Sequence, residues 1–149
     1  MPQWRTTFQE IAIGTGRKLR DGIDLAILTI GHVGNFALEA CDRMEKTTRV
    51  AHYDMRFVKP LDEELLHEIF SKFRKVITVE DGCIQGGFGS AILEFMADHG
   101  YSAEVRRLGI PDSVIEHGEQ TELQRDCGFD ADGIEKAVCE MLEGVVKFA

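Results

Sequence analysis

Proline is scarce in this 149-residue chain, with three, and tryptophan occurs once, so polyproline and collagen-like architectures are excluded. The four cysteines, Cys41, Cys83, Cys127 and Cys139, form no C-x-x-C, which removes zinc ribbons and thioredoxin-like redox motifs. The neighbours of Cys41 and Cys139 instead suit small buried helix positions. No stretch approaches the ~18–20 apolar residues that a bilayer span needs, and no charged n-region with an apolar h-region opens the chain. The expectation is a protein neither secreted nor membrane-inserted, working in a reducing cytoplasm. Basic residues are also short, 17 Lys+Arg against 26 Asp+Glu for a net charge of −9. That field repels phosphate backbones and anionic lipid, so nucleic acid and membrane surfaces are not expected partners.

What is present is a soluble composition, 44% hydrophobic and 29% charged, at a length that suits one domain. Residues 1–9, with Pro2, Trp4 and Phe8, show no period and read as a linker or tail, leaving residues 10–149 as the domain. Leu25 to Ile30 is apolar without alternation, as a strand covered on both faces should be. Asp21-Gly22 before it predicts a hairpin pairing residues 16–20 antiparallel with 25–30. Val33, Phe36, Ala37, Ala40, Cys41 and Met44 then recur at helical spacing. A second strand spans 50–53. Over 60–73, Asp62 is the expected N-cap, Glu63 and Glu64 favour the helix dipole, and Leu61 is placed to pack on Leu66. A third strand at 75–80 leads through the glycine-rich turn 82–89 into a helix carrying Ala91, Ile92, Phe95 and Met96. A fourth parallel strand fits 103–108. A short helix at 121–127 and a last one at 131–146 follow, the latter striped by Ile134, Val138, Met141, Leu142 and Val145. Alternating strands and helices predict a three-layer α/β domain with a mostly parallel sheet.

Three sets of residues could carry chemistry. Gly86-Gly87-Phe88-Gly89-Ser90 opens a helix after a strand, so its amides could cradle an anion. It is neither a phosphate-binding Gly-Lys-Ser/Thr loop nor the G-x-G-x-x-G fingerprint, and a tight turn with close packing explains the glycines as well. Asp54, Arg56 and Lys59 follow the second strand and Glu80 and Asp81 the third. A parallel sheet brings both sets to one carboxyl edge, as a structural or interface ion pair or as a group facing substrate. Glu80 would serve as general acid or base only if desolvated. His32, His52, His67, His99 and His117 show no ligand spacing, so no zinc site is expected. His67 and His99 read as exposed helix positions, and His117 as a loop histidine that could approach a ligand. No nucleophile elbow or catalytic-cysteine signature accompanies them.

Read together, Asp54-Met55-Arg56-Phe57-Val58-Lys59-Pro60-Leu61-Asp62, Thr78-Val79-Glu80-Asp81-Gly82 through Gly86-Gly87-Phe88-Gly89-Ser90, Gly109-Ile110-Pro111-Asp112 and Gly128-Phe129-Asp130-Ala131-Asp132-Gly133-Ile134 resemble the C-terminal domain of the 1-deoxy-D-xylulose-5-phosphate synthases. The likeness runs over roughly residues 10–146. Transketolase and the β subunits of 2-oxo-acid dehydrogenases share this type of domain. The resemblance implies a sheet of five strands, four parallel and one antiparallel, with helices on both faces. It also implies a parent enzyme, a transketolase-type transferase. That family condenses pyruvate with D-glyceraldehyde 3-phosphate, releasing CO2, with thiamine diphosphate and Mg2+, as a precursor supply for isoprenoids, thiamine and pyridoxal. The family holds its cofactor through a Gly-Asp-Gly motif and a downstream Asn, and activates it with a Glu from a second domain. The sequence contains no Gly-Asp-Gly, and the domains bearing these residues would lie upstream of Met1. No catalytic, cofactor or metal residue therefore carries over, and no cofactor is expected on this chain alone. The partners implied are the upstream catalytic domains and a homodimer of the parent. Asp54, Arg56, Glu80, Gly86, Gly87 and Gly89 are the candidate interface or anion-loop residues. The competing readings are a stand-alone anion- or metabolite-binding regulatory module, the C-terminal domain of another transketolase-type enzyme, and a small enzyme using Glu80 or His117 as base.

Overall fold

The structure is a computed structural model and describes residues 10–143. The tail expected at 1–9, and Val145 of the last helical stripe, lie outside the described residues. Five strands form one sheet: β1 (Arg17–Arg20), β2 (Leu25–Ile30), β3 (Val50–Asp54), β4 (Lys75–Cys83) and β5 (Glu104–Ile110), in the spatial order β1-β3-β2-β4-β5. β2, β3, β4 and β5 are mutually parallel, and β1 alone is antiparallel. Five α-helices cover it: α1 (Gly34–Met44), α2 (Glu63–Lys72), α3 (Phe88–Asp98), α4 (Gln120–Asp126) and α5 (Ala131–Glu143).

β2 runs through the middle, and its side chains divide between two cores as strand geometry requires. Leu25 and Ile27 join Ala37, Ala40, Ile134 and Val138 under α1 and α5. Ala26 and Leu28 join Leu66, Phe70, Phe88 and Ile92 under α2 and α3. All four strand residues are fully buried, which is why the run shows no alternation.

The hairpin expected between β1 and β2 does not form. β1 crosses β3 instead, with Arg17 opposite Asp54 and Arg20 opposite His52. Both flanks of β2 are taken by the parallel strands β3 and β4, and two apolar faces favour that central place, while the Arg-Lys-Leu-Arg strand suits an edge. The Asp-Gly pair serves a different contact. The amides of Ile23 and Asp24 donate to Arg49 O, at 2.9 and 3.1 Å, and Asp24 Oδ2 accepts from Arg49 N at 2.7 Å. A Cβ on Gly22 would lie 2.1 Å from Ala51 N, so glycine is required by the approach of the loop to β3.

Asp62 caps α2, accepting from Leu65 N at 2.9 Å, and its other oxygen accepts from Gly16 N at 2.8 Å. One carboxylate thus anchors both a helix start and the strap leading into β1. Leu61 is half-buried against the core that holds Leu66. Cys41 is buried as expected, whereas Cys139 is exposed, because it lies just past the α5 stripe of Ile134, Ala137, Val138 and Met141. His67 is half-buried, a departure from its expected exposure: its Nδ1 is 2.8 Å from Tyr101 Oη and its ring packs edge-on to Phe95 and His99. His99 is exposed.

Candidate functional site

The parallel strands deliver Asp54, Arg56, Glu80 and Asp81 to one edge, but each group finds a local partner. Asp54 Oδ2 accepts from Arg17 Nε at 3.0 Å, and Arg56 Nε lies 3.8 Å from the same oxygen. Arg56 N donates to Asp54 Oδ1 at 3.3 Å, in a turn that holds Arg56 at φ 58°, a left-handed conformation that costs a non-glycine residue about 1–2 kcal/mol. Lys59 is exposed beyond it, beside Glu63, Glu94 and Asp98 in a shallow hollow between α2 and α3.

Glu80 turns back into the glycine-rich segment. Its Oε2 accepts from Phe88 N at 2.7 Å and its Oε1 from Gly89 N at 2.8 Å, and the residue is almost fully buried. These are first-turn amides of α3, orphan donors at the positive end of the helix dipole. The place where an external anion would sit is therefore filled by the protein's own carboxylate. Close packing requires the glycines: a Cβ on Gly87 would meet the bonded Glu80 Oε2 at 2.2 Å, and one on Gly89 would meet Thr78 Oγ1 at 2.6 Å. Gly86, at φ +77°, makes the outer corner and donates to Ser90 Oγ at 2.9 Å.

A residue that sequence reading passed over completes the lock. Arg107, on β5, donates from Nη1 to Ile84 O at 2.7 Å and to Ser90 Oγ at 3.0 Å, and Ile84 N donates to Ile110 O at 2.9 Å. Its only sequence signal was a basic residue in the middle of a strand, one place before Leu108.

The histidines separate by environment. His52, expected only as part of the second strand, is fully buried, with Nε2 2.9 Å from Thr29 Oγ1 and Nδ1 unpartnered. Burial pushes its pKa down to about 4. His32 follows β2 and lies 3.3 Å from Asp81 Oδ2. His117 lines a cavity of about 580 Å³ outside the ends of β4 and β5, which also holds Asp81 and Gln124.

Residues 14–134 match the family model described as the transketolase C-terminal domain. The chain belongs to that family. As a transketolase C-terminal domain it is 60% identical over 147 residues to the 1-deoxy-D-xylulose-5-phosphate synthase of Cytophaga hutchinsonii, covering 98% of this chain and 23% of that protein. The synthase of Bacteroides fragilis is 56% identical over 137 residues, covering 91% and 21%, and that of Aquifex aeolicus 45% identical over 138 residues, covering 92% and 22%. The chain thus spans under a quarter of the length of these relatives. Among solved structures, a split-gene transketolase described as an inactive β4 tetramer superposes with a TM-score of 0.85 at 29% identity, over 95% of this chain and 46% of that one. Transketolase from Leishmania mexicana shares the fold, with a TM-score of 0.66 at 14% identity over 90% of this chain and 19% of that one. The expected three-layer sheet with one antiparallel strand agrees with these folds. Among the described residues no helix is long and apolar enough to cross a membrane.

Proposed function

We propose that this chain works as the C-terminal, non-catalytic domain of a thiamine-diphosphate- and Mg2+-dependent transferase that condenses pyruvate with D-glyceraldehyde 3-phosphate, releases CO2 and forms 1-deoxy-D-xylulose 5-phosphate. The observation that carries this reading is 60% identity to such a synthase across 98% of the chain. Residues 10–149 form the domain, residues 1–9 join it to what precedes it, and the enzyme acts in the cytoplasm as a homodimer.

The α3 N-terminus does not suit a diphosphate. A diphosphate at the α3 N-terminus would have to displace the Glu80 carboxylate from Phe88 N and Gly89 N. Among the described residues no group of three or more His, Cys, Asp and Glu side chains is disposed to hold a metal ion. The same geometry weighs against a regulatory module that takes an anion on the glycine turn. It favours a scaffold in which Glu80, Gly87 and Gly89 hold the turn rigid; Asp54, Arg56 and Gly86 are the residues proposed to face the catalytic domains.

Reconstitution tests the reading. CO2 release from pyruvate and glyceraldehyde 3-phosphate is measured with thiamine diphosphate and Mg2+, using the chain alone, the preceding domains alone, and both together. Turnover is expected only from the combination. Turnover by this chain alone overturns the proposal, as does full activity of the preceding domains without it.

A further inference from the structure

The strand order reverses direction between β2 and β4. From β2 the chain moves outward through α1 to β3, then crosses back through α2 to β4 on the other side. Such a reversal leaves a crevice outside the carboxyl ends of the two strands, because their connections leave toward opposite faces. His32 stands two residues past the end of β2 and Asp81 two residues before the last residue of β4, and they meet across that crevice at 3.3 Å. Gln124 of α4, nine-tenths buried, approaches His32 Nε2 to 3.3 Å from above.

From this point a cavity of about 580 Å³ extends over the end of β5, within the ~300–1,000 Å³ typical of small-molecule sites. Ile110, Ile115, Leu123 and Phe129 give it an apolar wall. Among the described residues that line it, the acidic groups are Asp81 and Glu116, and none is a lysine or arginine. Asp81 Oδ2 lies 3.3 Å from His32 Nε2, and about a third of the Asp81 side chain is exposed where it lines the cavity.

We propose that this cavity is a binding site for a small organic cation, a flat or branched apolar body carrying an ammonium or amidinium group. The body packs between Leu123 and Ile115, and the cationic head donates to Asp81 with Glu116 adding to the local negative field. The site is separate from the glycine turn, whose amides are consumed by Glu80, and it does not rest on the parent reaction.

The test is an amide-resolved NMR titration of this chain with benzamidine, with neutral benzamide and anionic benzoate as matched probes. Saturable shifts are expected at Asp81, Ile115 to Gly118, Leu123 and Gln124, with benzamidine binding about tenfold more tightly than benzamide and benzoate weakest. The double variant D81N/E116Q should erase the preference for benzamidine over benzamide while keeping the weaker apolar binding. Leu123→Trp, which fills the cavity, should abolish binding of all three probes with the remaining amide spectrum intact. Equal affinity for benzamidine and benzoate, shifts scattered away from the cavity, or a charge preference that survives D81N/E116Q each overturns the proposal. So does a cavity whose amides respond to added preceding domains but to no probe, which would make it a seat for protein.

Discussion

The carboxyl ends of β4 and β5 draw on the same repertoire, acidic side chains, glycines and helix starts, and they use it in opposite ways. At the end of β4 the Glu80 carboxylate is swallowed by the two amides that open α3, and Arg107 ties the outer turn to β5. At the end of β5 the loop to α4 leaves Val114 95% exposed and lets Glu116 and His117 face open space. A bonded carboxylate with its donors satisfied stabilises but has nothing left to recognise a ligand with. Partly satisfied groups around a cavity contribute little to the fold and keep their chemistry available. Glycine richness marks the first kind of place here, not the second.

The largest effect should come from breaking the closed end. Glu80→Ala leaves two buried amides without an acceptor and empties the space beneath the turn, a loss of about 3 kcal/mol. Gly87→Ala should be as damaging, because its Cβ would press on both Glu80 Oε2 and Cys83 O at 2.2 and 2.3 Å. Glu80→Gln keeps one acceptor oxygen and should recover part of the loss. Urea unfolding of the three variants checks the order. A Glu80→Ala stability within about 0.5 kcal/mol of the parent chain would mean that the carboxylate does not close the turn.

A second effect, visible only as a function of pH, belongs to the interior of β3. His52 is buried neutral, with its pKa pushed down to about 4 by desolvation, against an unfolded value near 6.5. Above the unfolded value both states carry the neutral ring, and its burial costs nothing in protonation. As pH falls below about 6.5 the unfolded chain takes up a proton that the folded chain refuses. Stability is therefore lost between about pH 6.5 and 4, at no more than about 1.4 kcal/mol per pH unit. His52→Gln, which retains a partner for Thr29 Oγ1, should flatten that slope in denaturation series at pH 7, 6 and 5. An unchanged slope would assign the acid sensitivity to other groups.

Much of this architecture can be read from pattern alone, and the misses have physical causes. The unbroken run Leu25 to Ile30 marks a central strand, and Asp62 marks a helix start, because each is decided within a few residues. The partner of β1 is not decided locally. Asp21-Gly22 suits a hairpin, but the place beside β2 goes to β3, and Gly22 is needed for its contact with Ala51. Glu80 is recognisable as a carboxylate at a strand end, but the amides it satisfies lie eight and nine residues away, so a ligand-facing role and an internal one look alike in sequence. The cavity at the end of β5 left still less trace, since Asp81, Ile115 and Gln124 come from three separate segments.

The smallest effect expected on stability is at the open end, and its smallness sharpens the contrast. Val114 projects from the β5–α4 loop with nearly its whole side chain in solvent, so replacing it by serine removes apolar surface that folding never buried. Val114→Ser should leave stability within about 0.5 kcal/mol of the parent chain. In the reconstituted enzyme the same variant acts as a probe of what covers the loop. If the preceding domains pack there, the lost methyl groups weaken their association even though the isolated domain unfolds unchanged. If association is also unaffected, the loop faces solvent in the assembly, and the cavity beside it remains open to a small ligand.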